Sequence, residues 1–439
     1  MLVQRYLTGT TAVKIAASAE AAVADGKLGA GQRLPAVRSL AGQLGVSPAT
    51  VAAAYRNLQE RGIAYADGRR GTIIRHASPA APPAPEVLPA NVRDLATGNP
   101  SAALLPAMKP FLRRLDPGER LYRDELNDPE LVALAKMQFS ADGVAAHSVA
   151  VVSGALDGIE RVLREELRPG DRVLVEDPCF TGIIDLLRAL ALVPVPLAVD
   201  DEGLLPPALA SAAAASAIIV TPRAQNPTGA AFTEKRARQL RALLRQRPGI
   251  LIIEDDHAGP IAGAPYVSLV DASRARWAIV RSVSKSLGPD LRLAIMAGDA
   301  RTIARVEGRQ TLGIRWVSHI LQKLVAALWR DERVGKTLAR AERTYTRRRE
   351  ALINALLDHD IRAHGSSGLN VWIPIPEESA VVQALFQRGW AVTAGERYRL
   401  RSGPAIRVTI ASLDAQEAPS FANDLANVLQ PSQRRSAGA

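Results

Sequence analysis

The sequence has 439 residues, of which 47% are hydrophobic and 23% charged, with a formal net charge of +11. That length favours two or three domains with ample core, and that balance excludes a disordered chain. A single cysteine, Cys179, excludes an internal disulfide and fits a reducing, cytoplasmic setting. The start MLVQRYLTGT has no apolar stretch after a basic residue, and the uncharged run Pro206 to Pro222 is short and bounded by prolines, so neither secretion nor a membrane span is expected.

Charge is uneven along the chain. Residues 1–75 hold ten Lys or Arg against four Asp or Glu, a compact basic unit suited to a polyanion. TAVKIAASAEAAVAD (11–25) is predicted as a first helix and AVRSLAGQLG (36–45) as a second, closed by Gly45. The third is VSPATVAAAYRNLQERG, with Ser47 as N-cap and Pro48 at the first helical position. Ala49, Thr50 and Ala53 then face outward, while Val51, Ala54, Tyr55 and Leu58 face the core. IAYADGRRGTIIR (63–75) reads as a hairpin with basic residues at its tip. Helix–turn–helix plus a basic hairpin is a winged helix, whose third helix fits a major groove of double-stranded DNA. SPAAPPAPEVLPA (78–90) carries five prolines and reads as an extended linker. The expected division is a winged helix over 1–76, a linker over 77–92 and a large domain over 93–439, with a smaller α+β subdomain at about 330–430.

From residue 148 onward, β-branched runs alternate with helix-length segments: SVAVVSG, RVLVED, LVPVPLAV, AIIVTP, GILIIEDD and WAIVRSVS. That alternation predicts an α/β fold with a mainly parallel sheet. Ligands collect at the carboxyl ends of such strands. The residues there are Ser153, Gly154 and Ala155 opening a helix, Phe180, Asn226, Asp255 with Asp256 and His257, and the stretch SVSKSLGPDLR with Ser282, Lys285 and Arg292. A helix start binds an anion, and the set adds a flat ring, an amide, a carboxylate and a lysine among small neighbours. This combination suits pyridoxal 5′-phosphate, whose aldehyde takes a lysine amine as an imine. No metal site is expected.

Two families share these patterns. Gly26 to Ala41 (GKLGAGQRLPAVRSLA), Leu44 to Leu58 and Gly68 to Thr72 resemble the DNA-binding domain of GntR-type regulators. That resemblance implies DNA contact by Arg38, Ala49, Thr50, Arg69, Arg70 and Gly71; Pro48 stands where many members have Arg. Residues 93–430 resemble a fold-type I aminotransferase domain, chiefly through NPTG (226–229) and S-x-S-K-x-x-x-P-x-L-R (282–292). The resemblance implies that Lys285 is the Schiff-base lysine and Asp255 the partner of the pyridine nitrogen. Asn226 bonds the ring hydroxyl, Phe180 stacks on the ring, and Gly154, Ala155, Ser282 and Arg292 bind phosphate. It further implies that Tyr122 reaches the phosphate across a dimer interface and that Arg407 clamps an effector carboxylate. His257 stands where the family has tyrosine near the ring hydroxyl, and Cys179 replaces a common small residue; it is expected as a buried thiol. Asp256 is expected as a solvent-facing or supporting carboxylate, and Arg347–Arg349 as an exposed helix face.

A winged helix on an aminotransferase-like body is similar to the MocR group of GntR regulators, and SGLNVWIP (367–374) most resembles its PtsJ-type members. The implied function is transcription control, tied to vitamin B6 metabolism. The resemblance further implies a homodimer with at most residual transaminase activity, sensing pyridoxal phosphate or an amino compound as small-molecule effector through Lys285. The alternative is a working aminotransferase with an accessory DNA-binding module.

Overall fold

The computed structural model describes residues 3–25, 27–29, 31–60, 63–66, 71–74, 88–271 and 274–429. Arg69 and Arg70, and most of the proline-rich segment, lie outside them. The chain divides into an N-terminal unit and a large body, and each has its own apolar core.

The N-terminal unit contains helices Ala12–Ala24, Val37–Leu44 and Pro48–Glu60 and an antiparallel pair, β1 (Ala64–Ala66) and β2 (Thr72–Ile74). Local chemistry sets the boundaries. The Thr11 side chain accepts from Lys14 N, Gly45 ends the second helix with φ 64°, and Ser47 Oγ accepts Thr50 N at 3.1 Å. Val51, Ala54, Tyr55 and Leu58 are buried, while Ala49 is exposed and Thr50 and Ala53 are partly so. The 3.6-residue period thus points the predicted face of the third helix outward.

In the body, eight strands form one sheet in the order β4-β11-β10-β9-β8-β5-β6-β7. They are β4 (Ser148–Val152), β5 (Arg172–Asp177), β6 (Val193–Asp200), β7 (Gly203–Leu204), β8 (Ala217–Val220), β9 (Leu251–Asp256), β10 (Trp277–Ser282) and β11 (Ala294–Gly298). β5, β8, β9 and β10 run parallel. β11 is antiparallel to both β10 and β4. Residues entering β11 therefore lie at the same sheet edge as residues leaving β4, β9 and β10. Helices start on side-chain caps, with Asp128, Thr233 and Asp299 each accepting a first-turn N–H.

Toward the C-terminus, β12 (Asn370–Pro374), β14 (Thr393–Ala394) and β15 (Ala405–Thr409) form a small antiparallel sheet. β13 (Trp390–Ala391) pairs in parallel with β3 (Arg93–Asp94). The chain beyond the proline-rich segment thus docks first on this late subdomain. Arg347–Arg349 is not an exposed face: Arg349 is buried and donates to Gly368 O at 3.0 Å, and Arg348 pairs with Asp414. Only Arg347 is exposed. Among the described residues, no helix is long and apolar enough to cross a membrane.

Candidate functional site

A cavity of about 260 Å³ opens at the shared sheet edge. Its lining includes Ala155 at the start of the helix after β4, Phe180 after β5, Asn226 after β8, Asp255 and His257 at the tip of β9, and Ser282, Lys285 and Arg292 between β10 and β11. Arg407 enters from β15. Gly154 is not a lining residue, but a Cβ there would lie 2.9 Å from Arg292 Nη2. Tyr122 stays outside: it is 74% exposed, with its ring 5.8 Å from that of Trp316. Sequence reasoning missed Thr97, Gly98, Thr221, Ser284, Leu369 and Asn370, which also line the cavity. Thr97 and Gly98 carry no strand or helix period that could have marked them.

Electrostatics at the site follow from desolvation. Lys285 Nζ donates to Gly98 O at 2.8 Å; burial first, and the Arg407 charge second, lower its pKa. His257 is pushed down to about 4 by desolvation and by Lys285, so its ring is neutral near pH 7. Asp255 is buried and pushed up to about 7 by desolvation and the neighbouring Asp256. Its Oδ1 has no hydrogen-bond partner. Arg407 donates to Asn226 Oδ1 at 3.3 Å and to Ala96 O, and its Nε has no partner. Cys179 is buried beside the pocket, and burial raises its thiol pKa.

Of the two alternatives expected for Asp256, solvent-facing or supporting, its burial fits the second. It is fully buried on the sheet face opposite Asp255, accepting two bonds from Arg223 at 2.9 Å and one from Arg281 at 2.7 Å. Those two guanidinium groups hold its pKa well below the usual carboxylate range.

These residues fit pyridoxal phosphate. The orphaned Asp255 Oδ1 is an acceptor in want of a donor, such as a protonated ring nitrogen. The Arg292 guanidinium has no hydrogen-bond or ion-pair partner among the described residues and stands against Gly154, whose φ of 100° suits glycine. Gly154→Ala is accordingly expected to displace Arg292 and strain the helix start, weakening the affinity for pyridoxal phosphate by about tenfold or more. An absorbance titration would read it.

A second buried carboxylate lies near Asp255. Glu176, in β5, accepts Thr221 N at 3.2 Å and Gln225 Nε2 at 3.3 Å, and desolvation pushes it up to about 8. A carboxyl whose folded pKa is raised stabilises the fold below its unfolded value and loses that contribution as pH rises through the folded value. Glu176→Gln, neutral at every pH, should match wild type near pH 4 and exceed it increasingly up to pH 8. The gap in Tm, roughly 2–4 °C per kcal/mol for large domains, measures it; a gap constant with pH would refute the assignment.

The chain resembles known proteins over nearly its whole length. Residues 11–74 match the bacterial regulatory proteins of the gntR family, and residues 93–425 match aminotransferase class I and II. The vitamin B6 salvage pathway transcriptional repressor PtsJ of Salmonella typhimurium is 37% identical over 96% of this chain and 99% of its own length. The HTH-type transcriptional regulator TauR of Rhodobacter capsulatus is 28% identical over 81% of this chain and 82% of its own. Among solved structures, the α-aminoadipate aminotransferase LysN of Thermus thermophilus superposes with TM-score 0.68 at 21% identity, covering 77% of this chain and 92% of that one. The multiple substrate aminotransferase of Thermococcus profundus gives TM-score 0.70 at 19% identity, covering 78% and 92%. The chain therefore belongs to the aminotransferase class I and II family, in the group of regulators whose aminotransferase domain follows a gntR-family DNA-binding domain.

Proposed function

We propose that the chain is a pyridoxal phosphate-binding, DNA-binding transcriptional regulator of vitamin B6 metabolism, acting as a cytoplasmic homodimer. The observation that carries this reading is the near full-length likeness to a vitamin B6 salvage repressor, over both the DNA-binding and the aminotransferase domains. We take residues 1–76 as the DNA-binding module, 77–92 as linker and 93–439 as the cofactor domain. Arg38, Ala49, Thr50 and Gly71 then face DNA, with Arg69 and Arg70. Support comes from Arg38, which is exposed and has no ion-pair partner among the described residues.

When bound, the cofactor supplies an aldehyde and an electron-withdrawing ring. Lys285 Nζ would take the aldehyde carbon, and Asp255 would hold the proton at the ring nitrogen. Asn226 would bond the ring oxygen, while Phe180 would shield the ring from water. Gly154, Ala155, Ser282 and Arg292 would hold the phosphate, and neutral His257 would add no charge near the ring oxygen. Support for dimerisation comes from large apolar side chains left exposed, Leu121 (71% exposed), Tyr122 and Leu312 (79% exposed). In such a dimer the exposed Tyr122 would serve the partner's phosphate site.

Arg407 beside Lys285 favours a second reading in part: an amino compound with a carboxylate as effector, or as substrate of a working aminotransferase. Footprinting on DNA upstream of the chain's own coding region, with and without pyridoxal phosphate, tests the two. Protection of paired half-sites that changes with the cofactor is expected. Nonspecific binding only, with steady transamination, would favour the enzyme. Arg38→Ala should lower the salt slope of binding by about one.

A further inference from the structure

Two cations of the pocket are held by main-chain oxygens of one short segment. Lys285 Nζ donates to Gly98 O at 2.8 Å. Arg407 Nη2 donates to Ala96 O, which also accepts from Thr393 Oγ1 at 2.9 Å. The shape of the segment is set by Asp94. Its Oδ1 accepts Ala96 N at 2.9 Å and Thr97 N at 3.1 Å, and its Oδ2 accepts Thr97 Oγ1 at 2.8 Å. This is an Asx turn, in which a side chain folds the main chain that follows it. The segment is anchored on the late subdomain through β3 against β13 and through Thr409 N to Leu95 O at 2.8 Å. In the other direction it continues into the chain that leads to the gntR-family domain.

Covalent capture of an aromatic aldehyde changes what Lys285 can donate. Its ammonium nitrogen carries three hydrogens. As the bond to the aldehyde carbon forms, two of them leave with the carbonyl oxygen as water, and one remains on nitrogen. The acceptor at Gly98 O therefore competes with capture, because it holds the ammonium form.

We propose that Asp94 is a positioning residue: its turn sets the carbonyls that hold Lys285 and Arg407 in the pocket, and capture at Lys285 removes the ammonium from Gly98 O and loosens the Gly98 end of the segment, whose other end, held at β3, continues toward the DNA-binding domain. The proposal rests on Lys285 being the aldehyde-binding lysine. The other ionisable groups lining the cavity around it are Asp255, His257, Arg292 and Arg407.

The test uses the full-length protein. Pyridoxal phosphate is titrated by absorbance across pH for wild type, Asp94→Ala, Asp94→Asn and Thr393→Val, and anisotropy follows binding of duplex DNA from upstream of the chain's own coding region. Asp94→Ala should bind pyridoxal phosphate about threefold or more tightly near neutral pH, because a charge-assisted bond no longer holds the competing form. Its capture midpoint should fall to lower pH, and its DNA affinity should lose most of its response to the cofactor. Thr393→Val should move the same way by less, and Asp94→Asn, which keeps the Oδ1 acceptor, should stay near wild type. Asp94→Ala and Thr393→Val profiles that superimpose on wild type would overturn the proposal. So would Asp94→Asn behaving like Asp94→Ala, since the negative charge of Asp94 acting on Arg407 and not the turn would then be the cause. If the midpoint shifts but wild-type DNA affinity ignores pyridoxal phosphate, the positioning role stands and the reading as a cofactor-responsive regulator fails.

Discussion

Lys285→Ala is expected to abolish covalent capture of pyridoxal phosphate: no adduct at position 285 after borohydride reduction, and loss of the visible band of the bound aldehyde. The argument rests on three observations. Among the described residues, Lys285 is the only lysine lining the cavity, its amine is bonded at 2.8 Å to a neutral carbonyl with no carboxylate partner, and burial lowers its pKa. An amine so placed loses its proton more readily than a surface lysine and can act as nucleophile near neutral pH. The rest of the cradle survives the substitution, because Asp255 and the helix start at Ala155 sit on other segments and Arg292 lies seven residues further on, at the entry to β11. Noncovalent binding should therefore remain, weaker by about 100-fold or more, on the order of 3 kcal/mol. The cofactor-dependent part of DNA binding should disappear while binding without cofactor stays. A visible band and a reduced adduct of wild-type yield in the variant would remove Lys285 from the site.

How much of this was legible in the sequence depends on which physical signal each residue carries. The sheet was legible because strands buried on both faces must be apolar for their whole length, and AIIV in β8 or LII in β9 has no other plausible fate. The site followed, since the residues ending parallel strands share one edge. Lys285, Asp255 and Arg292 could be brought together on paper for that reason. Other partners came from long-range packing, which leaves no local period. Gly98 O holds Lys285 across 187 positions and Ala96 O holds Arg407 across 311. A main-chain acceptor has no residue type to announce it. Arg349 illustrates the opposite error. It sits in a run of arginines that reads as solvated, yet the helix Glu332–Leu357 turns it inward, where Gly368 O satisfies it.

Asp256→Ala is the substitution expected to cost the fold most. Asp256 is fully buried, and both its oxygens are used: Oδ1 by Arg223, Oδ2 by Arg223 and Arg281. Among the described residues, Arg281 has Asp142 at 2.6 Å as its other partner, and Arg223 has only a weak bond to Ala264 O at 3.4 Å besides. Both guanidinium groups lie near aromatic rings, Arg281 at 4.5 Å from the Phe139 centroid and Arg223 at 5.2 Å from that of Tyr266, too little to replace a carboxylate. Removing one member of a buried ion cluster leaves charge without compensation and destabilises by about 3–5 kcal/mol. Urea unfolding should show that loss as a lower midpoint with unchanged slope. Adding Arg223→Met should give a double variant less damaged than the sum of the singles, because the charge that Asp256 left unpaired is gone. The same substitution reaches the pocket. Asp256 is one of the causes that raise the Asp255 pKa. Without it, Arg223 and Arg281 act on Asp255 through the sheet with no intervening negative charge. The pH at which Asp255 ionises should then fall, and the lower edge of the pH range for pyridoxal phosphate binding should move down with it. Equal stability of Asp256→Ala and wild type would mean that water, not this carboxylate, balances the two arginines.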